Sequence, residues 1–162
     1  MSLSWFKTQL PVIEEAQQHD LPELANIHSA CFTHGWGTAE LASLYGQIGV
    51  FFLAAWVGST PQRRELVGFL AIRSVAGEAE VLTIAVHPRH RGRGIARKLM
   101  HDGIFRLYSE RAEVLFLEVD EANTAAVTLY KKLGFKQVGV RKGYYSASEG
   151  SGTALVMRCE LR

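Results

Sequence analysis

The chain has 162 residues, 48% hydrophobic and 21% charged, with a formal net charge of +2. That suits one globular domain with a core of its own, and the charge is too small to argue for nucleic acid as a partner. No stretch of about 18 apolar residues marks a membrane span, and the opening Met-Ser-Leu-Ser-Trp-Phe-Lys lacks the regions of a signal peptide. Cys31 and Cys159 are far apart and have no metal-ligand spacing, so a reducing, cytoplasmic setting with free thiols and no metal is expected. Residues 1–162 read as a single domain, with 1–11 as a leader.

Taken in order, Val12 to Ala16 reads as a first strand. Asp20-Leu21-Pro22-Glu23 reads as a helix start with Asp20 as cap. Leu21, Leu24, Ala25, His28 and Cys31 form that helix's inner face. Phe32 to Gly37 is a loop, and Thr38 to Gly46 a second short helix capped by Thr38. Three strands follow, Phe51–Val57, Leu66–Ser74 and Ala79–Val86, joined by turns at Gly58–Arg64 and Ala76–Glu78. Their short connections predict an antiparallel meander. A helix from Ile95 to about Glu110 comes next.

Val114 to Asp120 is a nearly all-apolar run, as in a central strand covered on both faces. The helical crossover before it predicts parallel pairing with Ala79–Val86, and ligands gather at the carboxyl ends of such strands, where Glu118 lies. Asn123 to Leu133 is a helix with Asn123 as cap and Gly134 as the stop. Lys136–Arg141 and Ala154–Glu160 are two last strands, joined by a Gly/Ser-rich loop that carries Tyr144 and Tyr145. The fold class is therefore mixed α/β (α+β), with a sheet of about six or seven strands flanked by about four helices.

Chemistry concentrates between Val86 and Arg97. Pro88 ends the strand, Arg91-Gly92-Arg93-Gly94 forms a basic turn, and Ile95-Ala96-Arg97 opens a helix. A strand feeding a glycine-rich turn feeding a helix is an anion site in outline, because the first helical N–H groups lack partners. No Gly-Lys-Ser/Thr follows, so this is not a Walker loop, and Gly-x-Gly-x-x-Gly is incomplete. A solvated basic loop fits the same residues.

Three landmarks in order, the Arg91–Ala96 turn, Leu117-Glu118-Val119, and Asn123 with Leu129-Tyr130-Lys131-Lys132-Leu133-Gly134-Phe135, resemble the GCN5-related N-acetyltransferase (GNAT) superfamily from about Val12 to Glu160. Leu117-Glu118-Val119, the Asn123 helix and the run Arg141 to Tyr145 are similar to the RimI branch, bacterial enzymes that acetylate the N-terminal alanine of small-subunit ribosomal protein eighteen. The resemblance implies acetyl-CoA as co-substrate and a ribosomal protein or peptide N-terminus as acceptor, with no membrane and no direct nucleic-acid partner. It implies backbone contacts from Ile84, Ala85 and Val86 to the pantetheine arm. Arg91, Gly92, Arg93, Gly94, Ile95, Ala96 and Arg97 would hold the pyrophosphate, and Asn123 would contact the cofactor. It further implies Glu118 as general base and Tyr130 as general acid.

The chemistry is consistent with those types. A carboxyl starts near about 4.3, so Glu118 must be raised by its neighbours or act through water. A phenol near about 10 can protonate a thiolate of about 8.5. The Val86 N–H is a candidate donor to the developing oxyanion. Two loops depart from the RimI pattern. His34-Gly35-Trp36-Gly37 stands where Phe-Pro-Trp-Ser is common, and Thr153-Ala154 where Asp-Ala is common. Both border the acceptor side, where Trp36, Tyr144 and Tyr145 are the candidate substrate contacts. A small-molecule amine as acceptor, or a non-enzymatic CoA- or nucleic-acid-binding module, are the alternatives.

Overall fold

The computed structural model describes residues 10–143 and 150–162. The leader expected over 1–11 therefore falls almost wholly outside the described residues, as do Tyr144 and Tyr145. The elements are β1 (Val12–Glu15), α1 (Leu21–Cys31), α2 (Thr38–Tyr45), β2 (Val50–Thr60), β3 (Arg63–Val75), β4 (Glu78–Val86), α3 (Ile95–Ser109), β5 (Val114–Asp120), α4 (Thr124–Lys132), β6 (Lys136–Lys142) and β7 (Thr153–Glu160). The strands make a seven-stranded sheet in the order β1-β2-β3-β4-β5-β7-β6. β4 and β5 are parallel, as the α3 crossover requires, and β5, β7 and β6 pair antiparallel.

The hairpins are tighter than the sequence reading draws them. The expected turn over Gly58–Arg64 contracts to Pro61 and Gln62, and β2 and β3 extend towards each other. Arg64 pairs with Glu14 at 2.8 Å and lies over the Trp56 ring. At the next turn Ala76 and Gly77 have φ of 53° and 84°, the two positive values of a type I′ hairpin.

Two caps also differ. Asp20 makes no side-chain cap to α1; it accepts from the Gln17 amide at 2.8 Å and closes a 3₁₀ turn over Gln18–Asp20 instead. Gly37, not Thr38, is the residue before α2, and Glu40 accepts from its amide. Asn123 does cap α4, accepting from the Ala126 amide at 3.2 Å.

The residues form two compact units. One runs to Gln47 and takes in Phe52–Leu70 and Ile84–Met100; the other holds Ile48–Phe51, Ala71–Thr83 and His101–Arg162. In the first, Phe52 stacks on Phe69 with ring centroids 6.0 Å apart, and the Tyr45 ring meets Phe52 edge-on. Leu24, Leu41, Val67 and Leu70 are fully buried there. In the second, Leu115, Leu117 and Val119 of β5 are buried with Tyr130, Phe135 and Met157. Each such aliphatic side chain contributes roughly 1.5–3 kcal/mol by leaving water.

Among the described residues no helix is long and apolar enough to cross a membrane, and no three or more His, Cys, Asp or Glu gather where they could hold a metal ion. Cys31 and Cys159 are free thiols.

Candidate active site

In the first unit the site begins where β4 ends. The His87 amide donates to the Val67 carbonyl at 2.8 Å, so His87 faces β3. Strand alternation then turns the polar groups of Val86 and Ile84 to the other edge, and those of Ala85 towards β3. Of the three backbone positions expected to meet the pantetheine arm, Ile84 and Val86 thus face away from β3, and Ala85 faces β3. The registered pairing of β4 with β5 covers only Glu78↔Val114 to Glu80↔Phe116.

The Val86 carbonyl accepts from two side chains, the Cys31 thiol at 3.2 Å and the Arg91 Nε at 3.3 Å. Arg91 is thus folded back onto the strand end and braces the turn. The Arg93 guanidinium lies 3.2 Å from His90 Nδ1. Pro88 to His90 is a short 3₁₀ turn with the His87 ring accepting from the Arg89 amide.

Gly92 and Gly94 both have φ of +76°, a conformation L side chains rarely adopt, and among the described residues no atom beyond each glycine and its chain neighbours lies within 4 Å of a Cβ built on it. The first bond of α3 runs from the Lys98 amide to the Gly94 carbonyl at 3.0 Å. The N–H groups of Ile95, Ala96 and Arg97 precede that bond, so they have no carbonyl one turn back and present the positive end of a 15-residue helix. Open backbone, a helix N-terminus and Arg93 and Arg97 beside it fit a pyrophosphate.

In the second unit β5 carries Glu118 on the face opposite buried Leu117 and Val119. Its Oε1 is 3.0 Å from the Arg141 guanidinium, and the carboxylate is about one quarter exposed (27%). The wholly apolar surroundings that one sequence reading asks for are therefore absent; the acid has a cationic partner and reaches solvent.

Tyr130 lies seven residues after Asn123 along α4, two turns on and on the same side. A Schellman motif fixes it: the Phe135 amide donates to the Tyr130 carbonyl at 3.0 Å and the Gly134 amide to Lys131 at 3.1 Å. Gly134 has φ of +99°, and the Phe135 ring packs edge-on against Tyr130 at 5.8 Å. Burial pushes the Tyr130 hydroxyl up to about 12, so it stays protonated throughout the neutral range.

Three side chains have partners here that the sequence reading does not give them. Arg141 stands there only as part of a motif. Asp120, two residues past Glu118, accepts from the amides of Ala122 and Ser151 and from the Ser151 hydroxyl at 2.8–2.9 Å, tying the start of β7 to the end of β5. Burial, the largest single influence, pushes its carboxyl up, but the three bonds together outweigh it and hold the carboxyl below the usual range. A signal was there, a carboxylate at a strand end on the Glu118 face. The third is His28, which bonds the Trp36 amide. Trp36 itself is half-buried.

The seven-stranded mixed sheet, with a glycine-arginine turn opening a long helix at the end of β4, is an acetyltransferase fold. The chain belongs to the acetyltransferase (GNAT) family, whose model matches residues 21–135. It is an acetyltransferase, with acetyl-CoA as co-substrate. It is 38% identical over 101 residues to the ribosomal protein bS18-alanine N-acetyltransferase of Haemophilus influenzae, covering 62% of this chain and 68% of that one. The Escherichia coli K12 protein of the same name is 29% identical over 145 residues, 90% of this chain and 94% of that one. The crystal structure of the ribosomal-protein-S18-alanine N-acetyltransferase from Escherichia coli superposes with a TM-score of 0.83 at 26% identity, covering 94% of each chain.

Proposed function

We propose that this protein acetylates the N-terminal α-amine of a ribosomal protein, with alanine as the first residue, in the cytoplasm. The observation that carries this reading is the end-to-end likeness to the Escherichia coli enzyme, over 90% of this chain and 94% of that one.

Acetyl-CoA supplies an activated acetyl thioester. The backbone groups of Ile84 and Val86 align the pantetheine arm as an added strand would, and Gly92 to Arg97 hold the pyrophosphate. The Val86 N–H bonds the thioester oxygen as it gains charge. Its carbonyl, already bound to Cys31 and Arg91, cannot drift with the ligand. Glu118 takes the proton from the attacking amine. The carboxylate is held by Arg141 and reaches solvent, so a water relays the proton to it. Tyr130 gives its proton to the leaving thiolate. No side chain need be acylated, so transfer is direct within a ternary complex. Trp36 lines the acceptor side, and Asn123 adds a cofactor contact through the amide nitrogen that its capping role leaves over.

The test is mass spectrometry of synthetic peptides incubated with the protein and acetyl-CoA. Peptides beginning with alanine are expected to gain one acetyl group at the α-amine. Acetylation confined to small amines, with the peptides untouched, overturns the acceptor assignment.

A further inference from the structure

The last turn of α1 and the loop after it form a built aromatic stack. The His28 imidazole lies 4.4 Å from the Phe32 ring at 30° and 4.8 Å from the Trp36 indole at 9°. Two rings stacked on one imidazole take its opposite faces, so the order is Phe32, His28, Trp36. Phe69 of β3 closes the side at 6.1 Å. His28 is 3% exposed, whereas Trp36 is half-buried.

A phenyl ring would stack as well; only an imidazole also accepts. The Trp36 amide donates to His28 Nδ1 at 2.9 Å, which requires the neutral ring with its proton on Nε2. The loop is pinned a second time at Gly35, where a Cβ would stand 2.6 Å from the Ser29 Cα. Both pins lie on α1, one residue apart in its sequence, and both act on the two residues that set where Trp36 sits.

We propose that His28 is the positioning residue of the acceptor side: it holds the Trp36 loop against α1 and fixes the plane of the indole that receives the first residues of the acceptor peptide. The inference rests on the acceptor reading above. A loop held this way is ordered before the peptide arrives, so the peptide does not supply its ordering entropy.

The experiment is steady-state kinetics with an N-alanyl peptide, varying peptide and acetyl-CoA separately. His28→Phe keeps the stack and removes the acceptor. Its KM for peptide is expected to rise about tenfold, the ratio expected for about 1.4 kcal/mol from one lost hydrogen bond. Its kcat and its KM for acetyl-CoA are expected to stay within about twofold of the parent. His28→Asn places an amide oxygen near the Nδ1 position and is expected to recover most of the peptide KM. An unchanged peptide KM in His28→Phe, or equal losses for peptide and acetyl-CoA, overturns the proposal. Should His28→Phe fail to fold, Gly35→Ala lifts the loop off Ser29 with His28 intact. It is expected to raise the peptide KM alike, and no rise overturns the proposal. An unmodified protein inactive on the peptide removes the acceptor reading, and this inference with it; activity in the parent with no effect in the variants sinks the inference alone.

Discussion

Arg141 on β6 reaches across β7 to place its guanidinium 3.0 Å from the Glu118 carboxylate on β5. The register carries it there: Glu118 stands opposite Val156, and Arg141 opposite Ala154 on the same strand β7. A side chain from the sheet edge thereby orients the proposed base. Glu118→Gln is expected to lower kcat about 10²-fold if the carboxylate accepts the amine proton. Arg141→Gln, which leaves the acid present but unheld, is expected to cost about 3- to 10-fold, because half-exposed ion pairs are weak. Kinetics on the two variants and the double variant checks the coupling: if Arg141 acts only through Glu118, its loss adds nothing once Glu118→Gln is in place.

Tyr130→Phe separates chemistry from packing. The ring is buried and a phenylalanine fills the same space, so acetyl-CoA affinity is expected to hold while kcat falls about 10²-fold or more. Alkaline unfolding supplies a second readout. The hydroxyl titrates at about 12 in the fold against an unfolded value of about 10. Its contribution is complete below about pH 10 and is lost as pH rises from there towards 12, because only the unfolded chain gives up the proton in that window. The variant's stability is expected to fall less steeply over that range in denaturant melts.

His28 sets the acid side. Burial, partly offset by the Glu40 carboxylate, lowers its pKa to about 4 from 6.5. The unfolded chain therefore binds a proton between those values that the folded chain refuses, so stability is full above about pH 6.5 and declines as pH falls towards 4. The loss is expected to reach roughly 1–3 kcal/mol, and His28→Asn is expected to flatten it in urea melts at about pH 7, 5.5 and 4.5.

The proposed phosphate turn has its own test. Gly94→Ala forces a side chain into φ of +76° and puts a Cβ into space left open by the other described residues. Stability is expected to drop by about 1 kcal/mol, while KM for acetyl-CoA rises about tenfold as the Cβ takes the ligand's room. Titration with CoA and a thermal melt read the two effects separately.

Local signals in the chain were sufficient for the element order, the α3 crossover, the Asn123 cap, the Gly134 stop and the basic turn. Each is a property of a few consecutive residues: a missing N–H at Pro88, a missing Cβ at Gly92, Gly94 and Gly134, an amide side chain able to reach a helical N–H. Those constraints act over one turn and hold wherever the segment lies. The long partnerships were decided by the tertiary structure alone. Arg141 meets Glu118 only because β7 runs between their strands, and Cys31 meets the Val86 carbonyl across 55 residues of chain. His28 becomes an acceptor rather than a cation only because Phe32, Trp36 and Phe69 take its water away. Pairings at that range depend on register and on which surfaces are dried together, and neither is a property of any short stretch of residues.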